Sequence, residues 1–465
     1  MILVPFFTFL CLLLNAVSSF VVYQPKGCGL VNWTIGGRKR ISAQCVNANY
    51  TEVMEYARDQ QIYALIIDGC NLPIRQIEPL PNMSVLFLRI VNCGIEEIDD
   101  DAFANVTDVI KLELSHNSIK TFPNVEMLTD LHELILEDNK IGNIADSQKF
   151  VKNKLLYDVN LRNNKLLEVT DASFSGFESV RNLDLGANQI ETISPNAFTK
   201  LANLGTLNLG HNNISTLPSK LSNNQLSELP ASVFEGLTQL QKLDLTNTTL
   251  KELPLNVFST NKNMKTLYLN FNNLEQLPFN VFKELTNMRE LEIHHNKLKR
   301  LDESVFPDSD KLFELHLNDN QLDDIPPFRN LVHLIYLNLE NNRLTALPTE
   351  FVRQSMWLKS IYLNNNRLRS LPDTLFSHLI SAPDVIDLRH NNLTTVPISA
   401  FGVKKHKSTI LLHGNPLNCD EKLAWLVNDI KSETQRVSNP SHPEIPLCAG
   451  PSKHSGLPLQ NIKLD

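Results

Sequence analysis

A string of apolar residues and one asparagine recurs along most of this chain, usually every 24 residues. One clear copy contains Leu358, Ile361, Leu363, Asn366 and Leu368, with the spacing Leu-x-x-Leu-x-Leu-x-x-Asn-x-Leu. We call the asparagine column the ladder positions. They fall at 70, 93, 117, 139, 164, 188, 212, 224, 248, 272, 296, 320, 342, 366, 391 and 415, with Cys at the first two and Thr at 248. A period of this kind predicts a solenoid, in which each repeat packs only against its neighbours.

The Leu-x-Leu alternation predicts one short strand in every repeat, with the leucines inward and the intervening side chains outward. Stacked repeats would then pair their strands in parallel, about 4.7–4.9 Å apart. A single coil cannot bury its own leucines, so neighbouring coils must supply the walls, at about 1.5–3 kcal/mol per buried side chain. An asparagine at an inward turn must bond to backbone groups of its own and the next coil. We therefore assign the ladder asparagines a structural role.

Two further columns keep the same register. Phenylalanine stands ten residues after the ladder position in several repeats: Phe103, Phe174, Phe198, Phe234, Phe258, Phe282, Phe306, Phe376 and Phe401. Proline stands six residues after it: Pro123, Pro218, Pro230, Pro254, Pro278, Pro326, Pro348, Pro372 and Pro397. The phenylalanines predict an inner spine on the convex side, and the prolines favour extended backbone in the ascending loop.

One step interrupts the array. From Asn212 to Asn224 it is only 12 residues, half a coil, and no Phe follows Asn212 at the expected distance. The strand ladder is therefore expected to break or bulge near Ser219. Two explanations stay open: a natural hinge between two blocks of repeats, or a stretch missing from the sequence record.

The first 19 residues form an apolar segment followed by small residues, which is typical of a secretory signal peptide. No later stretch is long and apolar enough to cross a bilayer, so we expect a secreted, extracellular protein without a membrane span. Six cysteines then remain after Cys11 is removed, which permits several disulfide pairings. Glycosylation sequons, expected in an extracellular protein, occur at Asn32, Asn49, Asn82, Asn105, Asn213, Asn247 and Asn392.

From Ile62 to Leu417 these residues resemble the extracellular leucine-rich-repeat proteins, the group with Slit, Toll-receptor ectodomains and small leucine-rich proteoglycans. The resemblance implies an α/β solenoid: a horseshoe with a parallel β-sheet on its concave face, an irregular or 3-10 convex side, and capping modules at both ends. We expect a signal peptide over 1–19, an N-terminal cap over 20–61, about 15 coils over 62–416 with a short step near 213–224, a C-terminal cap over 417–450, and a flexible tail over 451–465.

The resemblance also implies disulfides in the caps. The segment from Asn415 to Leu426 looks like the family's cysteine-flanked C-terminal cap, although Glu421 stands where the family usually has a second cysteine. The implied pairs are Cys28 with Cys45 and Cys419 with Cys448. Cys70 and Cys93 stay open between two small buried substitutes for asparagine and a bridge between adjacent coils, which the Cα spacing of parallel neighbours would tolerate.

The charge pattern points to a protein partner. Outward strand positions lie six, four, two and one residues before each ladder position, and the acidic residues there exceed the basic ones by eight, which equals the net charge of −8 of the whole chain. The acids are Asp68, Glu113, Glu133, Glu137, Asp138, Asp158, Asp184, Asp244, Glu290, Glu292, Glu314, Asp319, Glu340 and Asp387; the bases are Arg89, Lys111, Arg162, Lys220, Lys242 and Arg389. Such a face disfavours nucleic acid and either serves solubility alone or steers a basic protein.

A candidate binding cluster lies late in the array, where aromatics, histidines and acids share neighbouring strands. We assign partner binding to Tyr268, Phe271, Glu292, His294, Glu314, His316, Tyr336 and Tyr362, with His295 beside them. In register, Glu292 should stand beside His316, and Tyr336 one coil beyond Glu314. Aromatics on a rigid scaffold anchor interfaces, and histidines beside acids would make binding depend on pH.

No catalytic motif, phosphate loop or metal-ligand spacing occurs in the sequence, so we expect no catalytic residues, no cofactor and no metal. The predicted function is a secreted, non-catalytic recognition or adhesion scaffold with an acidic concave surface. An innate-immunity recognition factor and an extracellular-matrix structural protein are the alternatives, and a homo-oligomer is compatible with either.

Overall fold

The structure is a computed structural model of the chain, and it describes residues 24–35, 38–144, 153–214, 229–306, 311–380, 383–401, 408–431 and 445–463. The expected signal peptide lies outside the described residues. So do Ser219, Lys220 and the ladder position at 224.

Short strands dominate the secondary structure. They are β1 (Cys28–Ile35), β2 (Arg38–Ala48), β3 (Gln61–Cys70), β4 (Gln76–Ile77), β5 (Met83–Val91), β6 (Glu97–Ile98), β7 (Val106–Thr107), β8 (Lys111–Glu113), β9 (Glu133–Ile135), β10 (Asp158–Asn160), β11 (Glu168–Val169), β12 (Asn182–Asp184), β13 (Thr192–Ile193), β14 (Thr206–Asn208), β15 (Lys242–Asp244), β16 (Thr266–Tyr268), β17 (Glu290–Glu292), β18 (Glu314–His316), β19 (Tyr336–Asn338), β20 (Ser360–Tyr362), β21 (Val385–Asp387), β22 (Thr409–Leu411), β23 (Leu417–Asn418) and β24 (Cys448–Gly450). The helices are α1 (Tyr50–Ala57) and α2 (Ala424–Lys431), with 3-10 turns at Glu303–Val305, Ile398–Ala400, Glu421–Leu423, Ser452–His454 and Leu459–Asn461.

One sheet of 18 strands runs along the molecule. Apart from the antiparallel pair β1 and β2, its strands pair in parallel, and every described ladder position lies at the end of one of them or shortly after it. The middle residue of each three-residue strand in this sheet is buried, as in Leu267, Leu291 and Leu315. The sheet therefore turns one side to a continuous leucine core and the other to the concave surface, and the predicted parallel-sheet solenoid is confirmed.

The ladder asparagines bond to the backbone, as Asn296 shows. Its Nδ2 donates to the carbonyl oxygens of Leu269 at 2.9 Å, Ile293 at 3.1 Å and His294 at 3.2 Å, and its Oδ1 accepts from the Leu274 amide at 3.0 Å. The adjacent coil to which Asn296 bonds is the preceding one, whereas the repeat pattern predicts bonds to the next coil. Each asparagine thereby satisfies backbone groups that a tight turn would otherwise bury unpaired.

The phenylalanine column forms a buried spine. Phe258 stacks on Phe234 with ring centroids 5.9 Å apart and on Phe282 at 6.1 Å. Where the repeats shorten, the spine passes through Phe328 and Phe351, which are 5.2 Å apart. These two rings stand outside the ten-residue spacing, so the sequence column missed them.

The strand ladder does not break near the short step. β14 pairs directly with β15, with Leu207 opposite Leu243, so the sheet is continuous across the anomaly. The expected break of the strand ladder is wrong, because β14 and β15 are hydrogen-bonded neighbours. The bulge expected near Ser219 falls on residues outside the described part. Residues 215–228, which carry the difference in length, lie outside the described part.

Both ends of the solenoid are capped and disulfide-bonded. At the N-terminal end, the β1–β2 hairpin brings Cys28 opposite Cys45, and these two residues are bonded. At the C-terminal end, Cys419 is bonded to Cys448, whose strand β24 pairs with β23. These are the two pairings that the resemblance implies.

The expected flexible tail is partly folded. Residues 451–463 include two 3-10 turns, and Leu459 and Ile462 are buried in the common core. The Nδ1 of buried His454 lies 2.8 Å from the carbonyl oxygen of Cys419. The expectation was wrong because two apolar side chains in a polar tail are enough to close the end of the core.

Cys70 and Cys93 are bonded to each other, with their Cα atoms 4.7 Å apart. They occupy adjacent ladder positions on β3 and just after β5, so this bond joins the first two coils. The sequence left open whether Cys70 and Cys93 are bonded, and the structure shows the disulfide.

Neither helix in the described part of the chain has the length and hydrophobicity required to cross a membrane.

Candidate functional site

Five neighbouring strands, β16 to β20, bring the candidate residues together on the concave face. Tyr268 pairs with Glu292, and Glu292 with His316. Glu314 pairs with Tyr336 in the next coil. Both predicted neighbour relationships are confirmed. We call this surface the central patch; it comprises Tyr268, Phe271, Glu290, Glu292, His294, His295, Glu314, His316, Tyr336 and Tyr362.

Aromatic rings run across the central patch from one coil to the next. The His294 ring lies edge-on to Phe271 at 5.2 Å and 6.4 Å from His316. His316 stacks on Tyr336 at 4.7 Å, and the Tyr336 ring is 5.3 Å from that of Tyr362. The sequence predicted that these residues share a surface; the structure adds that their rings are in contact.

Phe271 is unusual for its backbone. It has φ of 56° and stacks on His295 with centroids 4.2 Å apart, yet its side chain is 48% exposed. The residue before the ladder position repeatedly takes a left-handed conformation, and in most coils it is Asn, Asp or His. Those residue types tolerate this conformation better than a bulky ring does. Packing of the core does not require a phenylalanine here, which points to a role at the surface.

The acids of the central patch are close enough to interact. The Tyr268 hydroxyl donates to the Glu290 carboxylate at 3.3 Å. Burial, followed by the negative charges of Glu292 and Glu314, raises the pKa of Glu290. Burial and the charges of Glu290 and Glu292 raise the pKa of Tyr268 to about 12. Negative charge is therefore concentrated at this point of the sheet.

The histidines touch the same acids. The Nε2 of His294 is 3.3 Å from Glu292 Oε2, and this hydrogen bond lowers the pKa of Glu292. The Nε2 of His316 is 3.7 Å from Glu314 Oε2, too far for a hydrogen bond, and burial lowers the pKa of His316. His295 lies 2.8 Å from His294 through their Nδ1 atoms and 3.5 Å from Asp319.

Several acids elsewhere on the concave face have Lys or Arg partners. Arg89 pairs with Glu113 at 2.9 Å and lies 3.6 Å from Asp68. Lys111 pairs with Glu133 at 3.0 Å.

Two further acids are matched in the same way. Arg162 lies 3.9 Å from Glu137, and Arg389 contacts buried Asp387 at 2.7 Å. Within the described residues, no Lys or Arg forms an ion pair with Glu290, Glu292 or Glu314. Asp158, Asp184, Asp244 and Glu340 also form no such pair among the described residues, but the central patch holds three acids without a Lys or Arg partner on two adjacent strands.

Other surface features are weaker candidates for a binding site. A depression of about 620 Å³ lies on the ascending side of β15 to β18, and its lining residues are Lys251, Glu252, Glu275, Gln276, Lys299, Arg300 and Asp323. Its charges are mixed, and Arg300 already lies 3.5 Å from Asp323. Over the described ranges, no group of three or more His, Cys, Asp or Glu side chains has the arrangement of a metal site.

The sequons stand outside the central patch. Asn32, Asn82, Asn105, Asn213, Asn247 and Asn392 are exposed, and Asn49 is half-buried, with its Oδ1 capping α1 at the Glu52 amide. No sequon occurs between Asn247 and Asn392. The coils that carry the central patch therefore have no attachment site for N-linked glycans.

The fold and the repeat place this chain in a known class. The family model "Leucine rich repeat" matches residues 84–141, 154–214, 220–274 and 262–322, and "Leucine Rich repeats (2 copies)" matches 310–351. Together these matches cover more than half of the chain. It belongs to the leucine-rich repeat family, which agrees with the expectation of a non-catalytic protein.

Mouse lumican and two solved complexes each share less than 30% of their residues with this chain over the matched segments. Lumican from Mus musculus is 29% identical over 208 residues, which is 39% of this chain and 55% of lumican. The chain thus spans about half the length of the curated relatives it matches. The solved Toll–Spatzle complex is similar with a TM-score of 0.58 at 20% identity, covering 90% of this chain and 66% of that one. The TLR13–ssRNA13 complex has a TM-score of 0.61 at 23% identity, covering 87% and 60%. The structural likenesses show the fold alone.

Sequence reasoning placed Glu290 among the concave acids but not in the binding cluster. The structure joins it to Tyr268, Glu292 and Glu314. The 24-residue step predicts that Glu290 pairs in register with Glu314. The hydrogen bond from the Tyr268 hydroxyl to Glu290 could not be predicted from the sequence, because it depends on side-chain conformation.

Proposed function

We propose that the protein is a secreted, non-catalytic scaffold that binds a protein partner through its acidic concave face. The observation that carries this proposal is the central patch, in which stacked rings lie beside carboxylates that form no ion pair with a Lys or Arg of the described chain. Rigid aromatic side chains contribute binding area at small entropic cost, and uncompensated charge attracts a partner of opposite sign. The partner-binding residues are Tyr268, Phe271, Glu292, His294, Glu314, His316, Tyr336 and Tyr362.

A basic protein fits this surface better than a nucleic acid. The TLR13 structure contains single-stranded RNA and the Toll structure contains Spatzle, so both ligand classes occur among similar folds. Phosphate binding relies on clustered Lys and Arg. The concave face of this chain has the opposite charge balance, which favours a cationic protein.

Secretion and glycosylation belong to the same proposal. It includes removal of residues 1–19 and N-linked glycans at the seven sequons. Sequencing of the mature N-terminus from culture medium tests the first point, and a mobility shift after peptide-N-glycosidase treatment tests the second. Retention of the full chain inside the cell would contradict secretion.

Site-specific photocrosslinking tests the binding surface. We would place p-benzoylphenylalanine at Ser360, on β20 beside Tyr336 and Tyr362, and in a matched variant at Lys200 on the exposed convex side. Tagged protein from culture medium should capture the same partner repeatedly from Ser360 and not from Lys200. Equal capture from both positions would contradict a concave site.

Salt dependence tests the electrostatic part. Binding of the captured partner should weaken as ionic strength is raised from about 0.05 M to about 0.5 M, because screening shortens the range of the attraction. An affinity that does not change with salt would contradict an acidic steering surface.

Two other roles are supported only by similarity to other proteins. Similarity to Toll, which binds Spatzle in a complex described as a hub in development and innate immunity, supports a recognition factor in defence. Similarity to lumican supports a matrix role. Sedimentation velocity distinguishes the matrix role, which requires self-association at micromolar concentration, from a monomeric recognition factor.

A further inference from the structure

We infer that the central patch binds an arginine side chain presented by an extended segment of its partner, between the carboxylates of Glu290, Glu292 and Glu314 and the rings of His316, Tyr336 and Tyr362. This inference rests on the proposed function and specifies its chemistry. It starts from the local imbalance of charge. Several acids near both ends of the concave face have Arg or Lys partners. Among the described residues these three glutamates contact only each other, Tyr268 and histidines, and although Asp158, Asp184, Asp244 and Glu340 likewise form no Lys or Arg ion pair, only these three are grouped on the adjacent strands β17 and β18 beside the His316 and Tyr336 rings.

The surface already shows how it holds a cation. Lys242 Nζ lies 4.8 Å from the centroid of the Tyr268 ring, two strands from Glu290. A cation over an aromatic face is stabilised by the electron density of the ring. Tyr336 and Tyr362 have no Lys or Arg placed over their rings within the described structure. They are positioned to receive a cation from outside.

Buried polar atoms in the same region favour a ligand that donates hydrogen bonds. Asn364 is only 3% exposed, and its Oδ1 has no hydrogen-bond partner. It lies two residues before its ladder position, in the concave-facing row that contains His294 and Glu340. Nε2 of His316 is likewise buried without a hydrogen bond. The carboxylates and the amide oxygen of Asn364 can only accept, so the complementary group carries donors.

These features together select arginine over lysine. A guanidinium is planar, has five donors and stacks on rings, whereas an ammonium is a compact, strongly hydrated point charge. The central patch combines flat ring faces with several separated acceptors. Its coils carry no sequon, so glycans attached at Asn247 or Asn392 start outside it. An extended segment can therefore reach it.

The test uses synthetic peptides on the full-length secreted protein. Fluorescence anisotropy would measure binding of a labelled octapeptide of alternating glycine and arginine, with lysine and citrulline versions as comparisons. Citrulline keeps the shape of arginine but removes its charge. The arginine peptide should bind about threefold or more tighter than the lysine peptide and at least about tenfold tighter than the citrulline peptide. Equal binding of all three would overturn the inference, and this arm needs no variant protein.

A matched pair of variants locates the site. E290Q/E292Q/E314Q should weaken arginine-peptide binding at least about tenfold. E113Q/E133Q/E137Q removes the same three charges from glutamates that already have basic partners on the same sheet, and it should change binding by less than about threefold. Equal losses in both variants would mean that a diffuse field, not this site, attracts the peptide.

The two proposals can fail separately. If the partner captured through Ser360 binds E290Q/E292Q/E314Q as tightly as the native protein, the arginine site is wrong and the concave scaffold stands. If the peptide binds as expected but the Ser360 variant captures no partner, the site stands and the scaffold function is wrong.

Discussion

The imidazole of His316 lies against the phenol ring of Tyr336, with ring centroids 4.7 Å apart and planes inclined by 29°. The two residues are diagonal neighbours, since His316 pairs with Asn338 and Tyr336 with Glu314. This contact joins a titratable ring to the aromatic surface that extends to Tyr362. We therefore expect protonation of His316 to affect any partner that binds at these rings.

The first prediction concerns the tyrosines. Y336A and Y362A should each weaken partner binding by about tenfold or more, because truncation of an interface aromatic removes a large anchoring area. W357A is the control, since Trp357 is more exposed than the two half-buried tyrosines but stands outside the strand on its coil. Surface plasmon resonance would measure the affinities, and circular dichroism would check the fold. An effect of W357A as large as that of Y336A would remove these tyrosines from the site.

The second prediction is that binding of a basic partner weakens at acid pH. Burial lowers the pKa of His316, so the ring is neutral at pH 7.4 and gains its charge only below about 6.5, the usual value. The new positive charge beside Glu292 and Glu314 then competes with a bound cation. The raised pKa of Glu290 acts in the same direction, since this acid loses its charge early on acidification.

Affinity should therefore fall about three- to tenfold from pH 7.4 to about pH 5. H316Q should flatten this dependence. H378Q should not, although burial also lowers the pKa of His378, because that ring bonds to the Val352 carbonyl away from the concave strands. Tighter binding at low pH would contradict the assignment. Isothermal titration calorimetry in matched buffers would measure the profile.

The third prediction tests the asparagine ladder. N296A should lower the free energy of unfolding by about 1–3 kcal/mol, because the carbonyls of Leu269 and Ile293 and the Leu274 amide lose their buried partner. K297A changes the adjacent exposed residue and should alter stability by less than about 0.5 kcal/mol. Urea denaturation followed by circular dichroism would compare them, and equal effects would disprove a special role for the asparagine.

The fourth prediction concerns the bridge between the first two coils. C70A/C93A should cost about 2–4 kcal/mol of stability at the N-terminal end, because the bond restricts the unfolded chain. C70N/C93N should recover part of that loss by restoring the residue that other ladder positions use. Differential scanning calorimetry would rank the three proteins. If the asparagine variant were the least stable, the two positions would not be equivalent to the rest of the ladder.

Much of the central patch was predictable because the repeat imposes its own register. The 24-residue step sets Glu292 beside His316, and the two-residue alternation of a strand keeps both on the concave side. Each of these strands has only three residues, and its middle leucine is buried, so the two outer side chains can face only the concave side. Fold, concave surface and candidate neighbours therefore followed from periodicity.

The tertiary structure decided what periodicity does not encode. The bond between Cys70 and Cys93, the stacking of Phe271 on His295 and the buried Ile462 at the end of the chain depend on side-chain directions and on how the last coil is closed. Whether an acid such as Glu113 is neutralised depends on the reach of an arginine from the preceding coil. The sequence determined by itself the solenoid and the order of residues along its concave face, because hydrophobic burial selects one register. Only the packed structure decided which of those residues pair and which stay available, because that depends on distances of a few ångströms between flexible side chains.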